Sequence, residues 1–128
     1  MNRTDSAHDT DPDRFELYDL GVRVEAITGH CSCGHAVGDW FELRGGQLSL
    51  PPDRSFCIYA LQSALPLLPA LQRPLQPHDW LATDHRVHCP DPACGTILRI
   101  ERMGTRTFRR SDVSATVEPA PDANSSSH

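Results

Sequence analysis

Along the chain the apolar positions change period several times, and each change marks an element. Phe15, Leu17, Tyr18 and Leu20 form a short apolar lead-in, and Val22-Arg23-Val24-Glu25-Ala26 then alternates with period two, the mark of a strand with one dry face. A loop rich in Cys, His and Gly follows. Trp40-Phe41-Glu42-Leu43-Arg44 resumes the alternation, and Gly45-Gly46 supplies a tight turn into a return strand, Gln47-Leu48-Ser49-Leu50. Pro51-Pro52 ends the ladder, since proline has no N–H to give it.

Between residues 55 and 71 the period lengthens. Ile58, Leu61 and Leu65 fall on one helical stripe, with Cys57, Ala60 and Ala64 beside it. This predicts the main helix, capped by Asp53 or Ser55 and stopped or kinked just before Pro66, with a second short turn over residues 67–71. Residues 73–84, with Pro74 and Pro77, read as loop. Arg86-Val87-His88 leads into a second Cys/His segment, and residues 96–102 form the best strand by β-branched content and alternation. Gly104 predicts a turn, with residues 106–109 as a further edge strand or the start of a tail. The economical fold is α+β: a small antiparallel sheet with one main helix packed on its apolar face.

Composition limits how much of the chain can belong to that fold. Its 128 residues have room for one modest domain. Residues 1–14 hold four acids against two arginines and no apolar run, and residues 111–128 are mostly Ser, Ala, Pro, Asp and Asn with two valines. Neither stretch can bury enough apolar surface to offset its ordering entropy. The expected organisation is a disordered acidic tail at 1–14, a single small Cys/His domain at 15–110 and a disordered tail at 111–128. The net charge of −5 comes wholly from the tails, because residues 15–110 carry ten arginines against ten acids. The basic strip from Arg99 to Arg110 has only Phe108 as an aromatic companion. It therefore reads as a solvated face, and no nucleic-acid partner is expected. The longest apolar run, residues 64–71, is far short of a membrane span and is broken by Pro66 and Pro69, so no membrane partner is expected either. Five cysteines are an odd number, and the N-terminus shows no basic region followed by an apolar one. The expected location is cytoplasmic, where reduced thiols favour ligation or redox chemistry over a disulfide framework.

Candidate chemistry is concentrated in two stretches. His30-Cys31-Ser32-Cys33-Gly34-His35-Ala36-Val37-Gly38-Asp39 packs two thiols, two imidazoles, two glycines and a carboxylate into ten residues, and His85-Arg86-Val87-His88-Cys89-Pro90-Asp91-Pro92-Ala93-Cys94-Gly95 repeats the mixture some fifty residues later. Thiolate sulfur and neutral imidazole are the ligands zinc prefers, and a tetrahedral site would fasten two distant loops together. One residue separates Cys31 from Cys33 and four separate Cys89 from Cys94, unlike the usual pair of C-x-x-C motifs. The competing reading is that several thiols are simply buried as small apolar groups. Cys57 differs in sitting at the start of the helix, where it could be ligand, nucleophile or core. His30, His85 and His88 are further candidate ligands or neighbours of ligands. Asp39 and Asp91 could orient an imidazole, although an Asp in such a loop more often bonds its own backbone in a turn.

The series Cys31-x-x-Gly34-His35-x-x-Gly38-Asp39, Cys57-x-x-Ala60-Leu61 and Cys89-Pro90-Asp91-Pro92, followed by an apolar strand, resembles an uncharacterised family of small bacterial and archaeal proteins with no established function. Carried across residue by residue, the resemblance implies Cys31, His35, Cys57 and Cys89 as a closed zinc set. Cys33 and Cys94 are additions in this sequence. They could pair with each other, or replace Cys57 and His35 in a ribbon-like site of four cysteines. The preferred function is a zinc-binding accessory or binding module with a protein partner. The alternatives are a thiol-dependent enzyme or redox protein using Cys31 or Cys57 with His35 as base, and a purely structural domain with buried thiols.

Overall fold

A computed structural model of the chain describes residues 11–114. Most of both expected tails, residues 1–10 and 115–128, lies outside the described residues. The strands are β1 (Arg14–Ile27), β2 (Trp40–Arg44), β3 (Gln47–Ser49), β4 (Arg86–His88) and β5 (Thr96–Arg109). They form one antiparallel sheet in the order β3-β2-β1-β5-β4. With one main helical segment between β3 and β4, the architecture is the small α+β fold that the periodicity predicts.

The register explains which side chains go inside. β1 pairs with β2 through Leu20 opposite Leu43 and Val22 opposite Phe41. A strand's side chains alternate faces, so Leu20, Val22 and Val24 of β1 lie on the same side as Phe41, Leu98 and Ile100, and all six are buried. Charged residues take the other side, where Arg23 pairs with Glu101 at 2.9 Å and Arg99 with Glu25 at 3.1 Å. These exposed pairs add little stability and serve mainly to keep that face wet.

Two strands run further than the sequence predicts. β5 continues through Gly104 to Arg109 without a turn, and β1 begins at Arg14 rather than near Val22. The extensions are mutual: each gives the other ladder partners, so a glycine that would end an isolated strand is carried through as extended backbone.

The helical segment consists of α1 (Ile58–Ala64), a 3-10 turn (Leu65–Leu67) and α2 (Leu68–Leu71). The break falls where Pro66 removes a backbone donor, and Pro66 and Pro69 each sit at the start of a short turn, where the missing N–H costs nothing. The buried face differs from the expected stripe. Ala60, Ala64, Leu68 and Leu71 point inward, whereas Ile58 and Leu65 are exposed. Alanines allow close approach of α1 to the sheet, so that Ile58 and Leu65 are left outside while Leu68 and Leu71 of α2 fill the core. Neither Asp53 nor Ser55 caps α1: its N-cap is Cys57, with no side-chain capping bond. Asp53 is instead held in a tight turn at φ 60°.

By internal contacts the chain divides into two compact units. The larger, Leu17–Arg106, holds the core and every Cys/His segment. Its apolar centre joins the sheet residues above to Leu81 and the four inward helical residues. In the smaller, Met1–Glu16 with Thr107–His128, Asp13 accepts hydrogen bonds from the Ser111 backbone N–H (2.9 Å) and hydroxyl (2.7 Å). Arg109 reaches both Asp11 and Asp13 at 3.2 Å, and Phe15 stacks on Phe108 with ring centroids 5.4 Å apart. The Ser111 hydroxyl is the main cause of the lowered pKa of Asp13. Among the described residues no helix is long and apolar enough to cross a membrane.

Phe41 has no exposed surface and sits between strand and helix. Phe41→Ala should cost about 3–5 kcal/mol in urea denaturation, while Ile58→Ala, on the exposed side of α1, should stay within about 0.5 kcal/mol.

Candidate metal centre

Beyond Ile27 the chain leaves the strand and bonds to the second Cys segment. The N–H groups of Thr28, Gly29 and His30 donate to the carbonyls of Gly95, Cys94 and Ala93 at 3.0, 3.1 and 3.0 Å. Cys89 N–H donates to the Thr96 carbonyl (2.9 Å) and Cys94 N–H to the Asp91 carbonyl (3.0 Å). Asp91 Oδ1 accepts from Ala93 N–H at 3.0 Å, so this carboxylate closes the turn after Cys89. The backbones are too close for a side chain at two points. A Cβ at Gly29 would overlap the Ala93 carbonyl, and one at Gly95, whose φ is +67°, would overlap the Thr28 hydroxyl. Those two glycines bring the loop of Cys31 and Cys33 onto the loop of Cys89 and Cys94.

The five thiols are all free, and they differ in exposure: Cys89 and Cys94 are buried, Cys31 and Cys57 half-buried, Cys33 exposed. Cys94 Sγ lies 2.9 Å from the hydroxyl of Thr96, a fully buried residue. At Cys31, desolvation works against the thiolate, but the backbone N–H groups of His35 and Cys33, with the side chains of Thr96 and Cys94, bring its pKa below the ordinary thiol value. At Cys89 desolvation prevails and raises the pKa, aided by the Cys94 thiol and opposed by the N–H of Asp91. Cys33 is pushed up to about 11, first by hydrogen bonding with the Cys57 thiol, then by desolvation and the charges of Cys57, Cys31 and Cys89. The sulfurs of three separated segments thus feel one another. As the side chains are placed, no three His, Cys, Asp or Glu groups among the described residues surround one ion position.

His35 is held from both sides. Its Nδ1 lies 2.9 Å from Asp39 Oδ2, and its Nε2 accepts the backbone N–H of Cys57 at 3.0 Å. An accepting Nε2 puts the ring proton on Nδ1, toward the carboxylate. The ring packs on Phe56 with centroids 4.3 Å apart, and Phe56 meets the buried Phe41 edge-on. Asp39 Oδ2 also accepts from Ala36 N–H at 3.1 Å. Asp39 therefore combines the two roles that the sequence leaves as alternatives, closing its turn and orienting the imidazole. Its pKa is lowered, chiefly by the His35 hydrogen bond and next by the Ala36 N–H.

His35 accordingly ties the first Cys loop to the start of α1 through protein partners at both ring nitrogens, and it faces the backbone of Cys57. His30 and His88 are exposed, and His85 is half-buried with its Nε2 buried and unpartnered among the described residues. Thr96, Gly29 and Phe56 shape the site without having been singled out in the sequence. Only the Cys/Gly context of Gly29 could have flagged any of them. A cavity of about 480 Å³ opens at this end of the unit, with Cys33, His35, Asp39, Trp40, Arg54 and Cys57 in its wall. No family model, no curated protein and no solved structure matches the chain.

Two outcomes follow from this geometry. Gly34 has φ +75° with open space around it, so Gly34→Ala should cost only the left-handed backbone penalty of about 1–2 kcal/mol. Gly95→Ala should cost distinctly more, because the clash with Thr28 adds to that penalty. Equal losses in denaturant would contradict the close contact. Folding lowers the Asp39 pKa, so the stabilisation from this group is fully present above the unfolded carboxylate range and is lost as the pH falls through the lowered value. Asp39→Asn should therefore flatten the acid limb of the melting-temperature profile below about pH 4.

Proposed function

We propose that the chain is a small zinc-binding module, an accessory or binding protein rather than an enzyme, in which Cys31, Cys57, Cys89 and Cys94 take one zinc ion as thiolates. What supports this reading is that the thiols come from three separated segments and shift one another's ionisation, on two loops that the hydrogen bonds at residues 28–30 and 93–95 hold together. Hydrogen bonds to sulfur favour the thiolate, the form a metal binds. Four of the five thiols are buried or half-buried, as a closed structural site requires, and the exposed Cys33 is the surplus one. Cys94 stands in this reading where the family resemblance implies His35, because both nitrogens of His35 already have protein partners. The ion would supply structural cross-linking of the loops and helix start, worth on the order of 10 kcal/mol of apparent binding energy.

Elemental analysis of protein purified under reducing conditions without chelator tests the assignment. Wild type, Cys33→Ser and His35→Gln should each hold about one zinc per chain, and Cys57→Ser and Cys94→Ser should lose most of it, with circular dichroism confirming that each variant is folded. Cobalt substitution should give the absorption of a tetrahedral thiolate site in the first group alone. Metal retained in Cys94→Ser but lost in His35→Gln would return His35 to the ligand set, and a metal-free wild type would overturn the reading.

A further inference from the structure

A tetrahedral ion takes four thiolates, and this site offers five thiols, the surplus one being exposed and beside a ligand. Cys33 and Cys57 both line the wall of the same cavity of about 480 Å³, and the Cys57 thiol is the largest influence on that of Cys33. The hydrogen bond from Cys57 N–H to His35 Nε2 (3.0 Å) holds the backbone of Cys57 to the loop that carries Cys33, two residues before His35. Cys89 and Cys94, by contrast, are buried away from solvent.

We propose that Cys33 and Cys57 form a redox pair that a low-molecular-weight disulfide oxidises through this cavity, and that closure of their bond withdraws Cys57 from the metal. The first half of the proposal stands on the thiol pair and the cavity, and the second half rests on the zinc reading above. The exchange is balanced without any other reactant. The Cys57 thiolate attacks one sulfur of the small disulfide, a mixed disulfide forms, and a small thiolate leaves. The Cys33 sulfur then attacks the Cys57 sulfur of that mixed disulfide, forming the protein disulfide and expelling the second small thiolate. Two electrons pass from the protein pair to the small disulfide, which departs as two thiols, one of them carrying the Cys33 proton. The cavity suits this class of oxidant, because it has room for a small organic molecule and Cys89 and Cys94 are not in its wall. With Cys57 removed, three protein thiolates remain on the ion and its hold on the helix start is lost.

The test treats the full chain, as purified and separately after zinc loading, with bis(2-hydroxyethyl) disulfide. It follows zinc release with a chromophoric chelator and maps disulfides by mass spectrometry. The expected result is one new disulfide, Cys33 to Cys57, formed in step with loss of the ion, and reversal of both by dithiothreitol with added zinc. In Cys33→Ala the zinc should remain, with release slowed at least tenfold. Release at the wild-type rate in Cys33→Ala, or a disulfide mapped to any other pair, overturns the proposal. If the chain holds no zinc, the mapped disulfide still decides the first half: a Cys33–Cys57 bond upholds the redox pair while the metal reading fails, and its absence from a zinc-loaded chain sinks the pair while the metal reading stands.

Discussion

The contact on which the site depends is the run of three backbone hydrogen bonds from residues 28–30 to residues 93–95, and it exists because Gly29 and Gly95 have no side chains. Two chain segments some sixty-five residues apart approach there closely enough for three consecutive N–H groups to find carbonyl partners. With any larger residue at either position the loops would separate, and the thiols they carry would separate with them. Sheet formation brings β1 and β5 side by side, and just past the end of β1 the chain bonds to the turn that precedes β5.

His35 provides the second fastening, between the first Cys loop and the start of α1. Short helices leave N–H groups without partners at their first turn, and Cys57 as N-cap offers no side-chain oxygen to satisfy them. The imidazole accepts one N–H from the neighbourhood, and Asp39 holds it in the tautomer that can do so. Phe56 closes the arrangement from the apolar side and connects it to Phe41 in the core. A histidine placed like this contributes through orientation and packing. The chemistry of the site is then left to sulfur.

The environment of the sulfurs is graded. Cys31 receives backbone N–H groups and sits below the ordinary thiol value, while burial raises Cys89 and the neighbouring Cys57 raises Cys33 to about 11. Like groups gathered in a small volume cannot all ionise together unless a cation balances them. In the proposed readings a divalent ion would resolve that conflict for four of them, and a disulfide for two. Both readings of the site grow from the same electrostatic strain, which is why the exposed position of Cys33 matters as much as the buried positions of Cys89 and Cys94.

The α+β class, the strands at Val22, Phe41 and Leu98 and the helix break before Pro66 could all be read from the sequence, because each rests on local periodicity or on a proline that acts within one turn. So could the turn made by Asp91. What local pattern could not determine is anything that needs a partner far along the chain. Gly104 becomes part of a strand only because β1 lies beside β5, and the helix turns Ala60 and Ala64 inward only because the sheet lies near enough to exclude Ile58 and Leu65. His35 ties the first Cys loop to the start of α1 because the N–H of Cys57, distant in sequence, arrives at its Nε2. Sequence by itself determined which residue types could do chemistry here. Tertiary structure decided which of them have free atoms left to do it, since that depends on long-range contacts that the order of residues does not display.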